Sequence, residues 1–415
     1  MSPSEAALGA FAGYGVELEY MIVDAGSLAV MPAADRLLDA LSSADAAPPR
    51  AGFAWSNELV LHLLEVKNER PTPTLDRLAE GFQAEIARAN AALAPLGARL
   101  MPGGMHPWMD PAAETRLWPH RDAAIYRAYD RIFDCRAHGW ANIQSAQLNL
   151  PFADDEEFAR LHSAVRVLLP ILPALAASSP VADGRLRTEL DFRMESYRRH
   201  AARRPALIGR VIPDAAISEA RYRAEVLAPM YEAVARDDPE GALRDDWLNA
   251  RGAIPRFGRR AIEIRVVDMQ ECPQADLAIA ALTAAVARAL YDGRWSSFAA
   301  QQGLATAALA GLLSDCTRAA EAAIIDDGGY LALFGFPRAR CRAEELWAWL
   351  FAQCGSEAPL TDSHRAALQT VLGRGPLARR ILHALGGHCE RERLAAVYGE
   401  LCECLAAGRL FLGLP

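Results

Sequence analysis

The stretch Gly15-Val16-Glu17-Leu18-Glu19-Tyr20-Met21-Ile22-Val23 decides the fold, because it reads as a strand that carries carboxylates on one face. Successive side chains of a strand point to opposite sides. Val16, Leu18, Tyr20 and Ile22 therefore share an apolar face, and Glu17, Glu19 and Met21 share the other. The two carboxylates point the same way, roughly 7 Å apart. Like charges so placed repel unless a cation lies between them, and Mg²⁺ or Mn²⁺, which prefer oxygen donors, suit that spacing. A solvated edge strand has the same pattern, so the metal reading needs further carboxylates elsewhere.

A second stretch supplies them. Asn57-Glu58-Leu59-Val60-Leu61-His62-Leu63-Leu64-Glu65 sets two carboxylates in apolar sequence, where an unpaired charge is costly. Their separation of seven residues is odd, which places Glu58 and Glu65 on opposite faces of an unbroken strand. If both serve one site, a bulge or tight bend lies between them; one ion-paired Glu and one exposed Glu is the alternative. Ile262-Glu263-Ile264-Arg265-Val266 carries an acid and a base on one face. They form either a simple ion pair or a metal ligand beside a guanidinium fork that faces a phosphoryl group. Ser145-Ala146-Gln147-Leu148-Asn149 presents Gln147 and Asn149 together as neutral oxygen donors.

At 415 residues the chain has room for two or three average domains, or for one large catalytic domain with an appendage. Hydrophobic content of 52% against 23% charged residues excludes a disordered chain, and the abundance of alanine suggests closely packed helices. The net charge of −8 argues against a nucleic-acid binder. Two short basic clusters, Arg198-Arg199-His200 with Arg203-Arg204 and Arg256 with Arg259-Arg260, suit a polyanionic small molecule or a solvated turn. Residues 1–13 lack the basic start and apolar centre of a signal peptide. The apolar run 165–177 is too short to span a bilayer and contains Pro170 and Pro173, so no membrane association is expected. Eight cysteines without a Cys-x-x-Cys pair point to a reduced, cytoplasmic protein with no zinc site, Cys402 and Cys404 serving packing.

Periodicity and breaker residues predict helices over 32–41, 74–97, 122–135, 154–177 and 274–291, and strands over 142–150 and 261–267. A turn is expected at Pro48-Pro49 and a loop-rich centre over 178–204. Beyond about residue 295 the pattern is helical, with amphipathic segments at 343–354, 364–372, 377–385 and 391–405. The expected organisation is an α+β catalytic domain over 1–295 with a helical C-terminal portion, 296–415, packed on it.

Taken together these residues resemble the glutamate–cysteine ligase family 2, which includes bacterial carboxylate–amine ligases and is related to glutamine synthetase. The resemblance covers about residues 13–290. It rests on Gly15-Val-Glu17-Leu-Glu19, Glu58 with Glu65, Gly103-Gly104-Met105-His106-Pro107, Gln147-Leu-Asn149, Ser178-Ser-Pro-Val-Ala-Asp-Gly184-Arg185, and Glu263-Ile-Arg265 with Asp268. It implies a glutamine synthetase-like fold: a curved antiparallel sheet forming an active-site funnel, helices outside, ATP entering one end and amino-acid substrates the other. By similarity, Glu17, Glu58 and Glu65 hold one Mg²⁺ while Glu19, Gln147 and Glu263 hold another, in a site of two or three ions where Mn²⁺ is an alternative. Arg265 and Arg185 would contact the γ-phosphate, with Arg251 near the phosphate or the donor. His106, Asn149, Arg187 and Arg193 complete the expected substrate and ATP contacts.

The chain also departs from the family pattern. Many relatives carry His where this chain has Gln147, the proline that usually follows Arg251 is missing, and residues 186–193 differ from the Thr-Gly and Ser-Tyr-Arg pattern often seen there. The implied activity is ATP- and Mg²⁺-dependent amide formation through an acyl phosphate, between a small-molecule amino-acid donor, γ-glutamyl by default, and an amine. The choice of amine and any homo-oligomeric state stay open. The rival readings are a metal-dependent hydrolase or phosphatase on the same carboxylates and a non-catalytic binding relative.

Overall fold

The two faces of strand β1 (Gly15–Asp24) have the separate fates that its alternation predicts in a computed structural model describing residues 7–43, 50–356 and 360–414. The expected Pro48-Pro49 turn and residues 1–6 lie outside these described residues. Strand β1 is central in a seven-stranded antiparallel sheet. The other strands are β2 (Phe53–Asn57), β3 (Leu63–Asn68), β4 (Ala98–Met101), β5 (Ser145–Pro151), β6 (Ala253–Arg256) and β7 (Ala261–Asp268). Their order is β2-β3-β1-β5-β7-β6, and β4 pairs with the far half of β1, from Met21 to Asp24. Leu18, Tyr20 and Ile22, with Leu64, Val66, Leu148, Ile262 and Ile264 from neighbouring strands, point into the main hydrophobic core.

Helices fill that core from the apolar side: α1 (Leu78–Leu93), α2 (Asp155–Leu168) and α4 (Pro273–Tyr291), the last of these buried nearly all round. Helix α4 starts with Pro273, whose missing N–H is harmless in a first turn, and is rich in alanine, which lets neighbours approach closely. It packs on α1 and α2 and, from beyond residue 295, on α5 (Asp362–Arg374). The stretch Asp155–Ala176 is long and apolar enough to cross a membrane by composition, but 94% of it is buried inside the protein. Pro170 and Pro173 break it into α2, a 3₁₀ turn over Leu169–Ile171 and a short helix over Leu172–Ala176.

Two sequence expectations are corrected. The centre expected to be loop-rich contains helix α3 (Phe192–His200), started by Asp191, whose side chain accepts a hydrogen bond from the Met194 N–H at 2.9 Å. Periodicity misses it because Arg193, Glu195 and Ser196 are buried polar residues and the helix has no apolar stripe. The region beyond residue 295 is not wholly helical either, since Ile324–Ile325 and Cys341–Arg342 pair as a small antiparallel ribbon.

The far half of the second sheet face is covered by α6 (Leu377–Leu385) and α7 (Arg391–Ala407). Met21, Val23 and Met101 pack there against Leu377, Ile381, Val397 and Leu401. A buried ion pair fixes this attachment: the Arg380 guanidinium meets the Glu271 carboxylate, and the Phe411 N–H and C=O bond to Glu271 and Arg380 at 3.2 and 2.7 Å. Arg380→Ala leaves Glu271 buried without its cation, so urea denaturation is expected to show a loss of about 3–5 kcal/mol. The double variant Glu271→Leu/Arg380→Met removes both charges and is expected to lose markedly less. Equal losses in the two proteins would show that side-chain volume, not charge pairing, holds the segment.

Candidate active site

Cross-strand register assembles the site. Glu19 lies directly opposite Glu65, and Glu17 opposite Lys67 on one side and Gln147 on the other. Glu65 is also opposite Ser56, and Glu263 is opposite Asn149. Glu58 follows the end of β2, and the turn between β2 and β3 is the bend that the odd spacing required. Glu17, Glu19, Glu58, Glu65, Gln147, Glu263, Arg193 and Arg265 all line one cavity of about 580 Å³. A register shift between β5 and β7 falls beside Gln147, where a bulge changes the direction of the strand carrying Arg265.

Charge is distributed unevenly in this cavity. Glu19, Glu58 and Glu65 each offer a carboxylate oxygen, all within 4.8 Å of one another. Glu17 lies beside this group, in side-chain contact with Glu65. It also accepts a hydrogen bond from the Asn149 amide at 2.9 Å, on the side of β5 and β7. Glu19 accepts from the Ser145 N–H at 2.6 Å and the Gln147 amide at 2.9 Å. Glu263 is held by Arg256 at 2.9 Å and Arg265 at 2.5 Å.

Burial first, then Glu65 and Glu263, pushes the Glu17 carboxyl up to about 8, against the opposing pull of Lys67. Burial likewise raises Glu19 and, with Glu65 adding to it, Glu58. Burial also acts to raise Glu263, but Arg265 and Arg256 overcome it and hold that carboxyl below its usual range. A cluster of hard oxygen donors with more carboxyl groups than its one contacting lysine can balance fits a hard divalent cation such as Mg²⁺.

Not every expected residue reaches the cavity. Arg193 does, but its guanidinium is paired with buried Asp268. Asp268 also accepts from the Ser178 N–H at 2.8 Å and the Ser179 hydroxyl at 2.7 Å. Gly104 packs so closely on this carboxylate that a Cβ there would come within 2.6 Å of it. His106 is fully buried away from the cavity, its Nε2 at 2.8 Å from the Leu28 carbonyl and its N–H donating to Asn142 at 2.7 Å. Burial lowers its imidazole to about 3, so it is a neutral structural group. Arg185 is exposed on a two-residue strand, and Arg187 pairs with Asp183 and stacks on Phe192 at 4.5 Å. Arg251 is buried behind the wall, bonded to the carbonyls of Ala206 and Leu207 at 3.3 Å.

Several lining residues were not singled out from the sequence. Lys67 shares the alternation of Glu65 but reads as an ordinary surface lysine. Arg256 and Arg259, noted only as a basic cluster, are on the cavity wall. An aromatic wall is built from Tyr129, Trp140 and Trp247, with ring centroids 5.3 and 5.6 Å from Tyr129, and is extended by Tyr126 and Tyr197. These positions are far apart in sequence and share no motif.

The profile of the glutamate–cysteine ligase family 2 matches residues 14–327. The chain belongs to this family. It is 36% identical over 276 residues to an uncharacterised protein of Archaeoglobus fulgidus, spanning 66% of this chain and 74% of that one. It is 29% identical over 278 residues to a protein of Rubrobacter xylanophilus provisionally named glutamate–cysteine ligase 2-3, spanning 66% and 69%. Among solved structures, a glutamate–cysteine ligase of Francisella tularensis in complex with AMP matches with a TM-score of 0.59 over 94% of this chain and 88% of that one. At 12% identity that likeness shows a shared fold. Family and fold together identify a carboxylate–amine ligase.

The raised carboxyls make a thermodynamic signature. A carboxyl whose pKa rises on folding binds more protons in the folded state, so stability falls as pH climbs from its ordinary value of 4.5 through about 8. The slope is about 1.4 kcal/mol per pH unit for each retained proton. In EDTA, the thermal midpoint is therefore expected to drop from pH 5 to pH 8, and Mg²⁺ to raise it more at pH 8 than at pH 5. Glu17→Gln should flatten this dependence. A wild-type profile indistinguishable from that of Glu17→Gln would mean that Glu17 stays ionised throughout.

Proposed function

We propose that this ligase joins a carboxylate to an amine at the expense of ATP, through an acyl phosphate, with Mg²⁺ bound at the cavity carboxylates. The donor is a γ-glutamyl or similar amino acid, and the chemistry belongs to residues 1–295 with 296–415 in support. The observation that carries this reading is the juxtaposition, in one cavity, of Glu17, Glu19, Glu58 and Glu65 with the guanidiniums of Arg256 and Arg265. A polyphosphate would meet the guanidiniums directly and the carboxylates through a bound cation. Glu17, Glu19, Glu58, Glu65, Gln147 and Glu263 would hold Mg²⁺, which when bound supplies charge neutralisation at the phosphates.

The chain's own residues then account for positioning. Arg265, its Nε fixed by Glu263, turns the rest of its planar fork to the γ-phosphoryl oxygens and stabilises the charge spread over them during transfer. A donor carboxylate oxygen attacks the γ-phosphorus and the bond to ADP breaks. The amine nitrogen attacks the acyl carbon, phosphate departs and the amine proton is lost. Holding both substrates and ATP together turns an encounter of three molecules into a local reaction. The wall of Tyr129, Trp140 and Trp247 keeps water from the acyl phosphate before the amine arrives.

A screen of amino acids and amines for ADP release, with mass analysis of the product, tests the proposal. Phosphate release that depends on a particular amine and yields an amide is expected; release from phosphoesters without ATP would indicate the hydrolase instead. Arg265→Lys keeps the charge but not the fork, so kcat is expected to fall about 10²–10³-fold with little change in thermal midpoint. Near-normal turnover would reduce Arg265 to an ion-pair partner. Gln147→His is expected to stay folded and shift its preference from Mg²⁺ towards Mn²⁺, while Gln147→Leu loses most turnover. Unchanged Mg²⁺-dependent activity in the Leu variant would remove Gln147 from the metal ligands.

A further inference from the structure

Lys67 has no part in the family resemblance, yet its ammonium sits inside the acid cluster. It projects from β3 in the same alternation as Glu65 and lies opposite Glu17 in the sheet. Its Nζ is 2.5 Å from Glu65 Oε1 and 3.9 Å from Glu17 Oε2, and its side chain is 30% exposed against 7% and 11% for those two. The neighbouring cations are committed elsewhere: Arg256 and Arg265 to Glu263, and Arg193 to Asp268. Among Glu17, Glu19, Glu58 and Glu65, it is therefore Glu65 and Glu17 that have Lys67 as their contacting cation, whereas Glu19 feels Arg193 and Arg265.

Once ionised, these four carboxylates would be balanced by two divalent ions. With Lys67 in place, a second ion leaves surplus positive charge on the Glu17 side until an anion arrives, and the ammonium already reaches both Glu65 and Glu17. One ion at Glu19, Glu58 and Glu65 faces no such obstacle, since Lys67 engages a single oxygen of Glu65 and the side chain has room to tilt towards the open cavity.

We propose that Lys67 is a tethered cation standing in for one divalent ion, so that the nucleotide-free protein takes up a single ion at Glu19, Glu58 and Glu65. The Glu17 side opens to a second ion only when a phosphate-bearing ligand supplies compensating charge. This inference rests on the metal-dependent ligase reading and deepens it by assigning the order in which cations enter.

The test is Mn²⁺ binding to the full chain without nucleotide, followed by calorimetry and by the electron paramagnetic resonance signal of free Mn²⁺. Wild type is expected to bind one ion per chain, Lys67→Met two, and Lys67→Arg, which keeps the cation, one. Two ions in the wild type overturn the inference whatever the variants do, and leave the ligase reading intact. One ion in both wild type and Lys67→Met, with affinities within about twofold, also overturns it. No Mn²⁺ uptake by either protein removes the metal site itself and the ligase reading with it. Lys67→Gln makes the same cut in charge if circular dichroism shows that Lys67→Met has not folded.

Discussion

The site depends on the register of one strand. Glu17 and Glu19 reach the cavity because Leu18, Tyr20 and Ile22, the alternate residues of β1, are locked into the core on the opposite face. A slip of one residue would drive both carboxylates into hydrocarbon and expose the apolar set, a change that the cost of burying charge forbids. The same register sets Glu19 against Glu65 and Glu17 against Gln147. Repulsion among the acids is thus imposed by the hydrophobic effect acting on the other side of the sheet, and it is this imposed repulsion that makes the cavity receptive to cations.

A second constraint keeps the basic wall in place. Asp268, at the end of β7, ties together the Ser178-Ser179 segment, the closely packed Gly104 and the Arg193 guanidinium of α3. All of these partners are buried, where charge-assisted bonds are strong and an unpaired member is costly. Helix α3 also presents Tyr197 beside Arg265, so the knot beneath the cavity orients residues of its basic wall. His106 belongs to the same supporting layer: its hydrogen bonds tie the segment after Gly104 to Leu28 and Asn142.

Much of this was legible in the sequence, because alternation and charge are local properties. The faces of β1, the bend required between Glu58 and Glu65, and the shared face of Glu263 and Arg265 follow from spacing alone. Which carboxylates group together does not, since that is decided by cross-strand partners such as Glu65 and Gln147. Helix α3 escaped detection because its buried residues are polar and are satisfied only by distant partners. The aromatic wall and Lys67 were hidden for a related reason: Tyr129, Trp140, Trp247 and Lys67 become informative once the tertiary fold brings them to one surface. Arg185 and Arg251 match family positions by motif, yet here Arg185 is exposed and Arg251, like Arg187, is held by local partners, all three away from the cavity wall.

The family profile ends at residue 327, whereas the helices that cover Met21, Val23 and Met101 begin at Leu377. The residues that line the cavity and many of those that complete the apolar packing therefore lie on different stretches of the chain. A polypeptide released at residue 327 would hold every residue that lines the cavity and yet lose Phe334, Trp347, Leu350 and Leu368 of the main core together with the cover over Met21, Val23 and Met101, exposing contiguous apolar surface of the kind that drives aggregation. In a cell, such a fragment would be met by chaperones and proteases before its active site had any consequence.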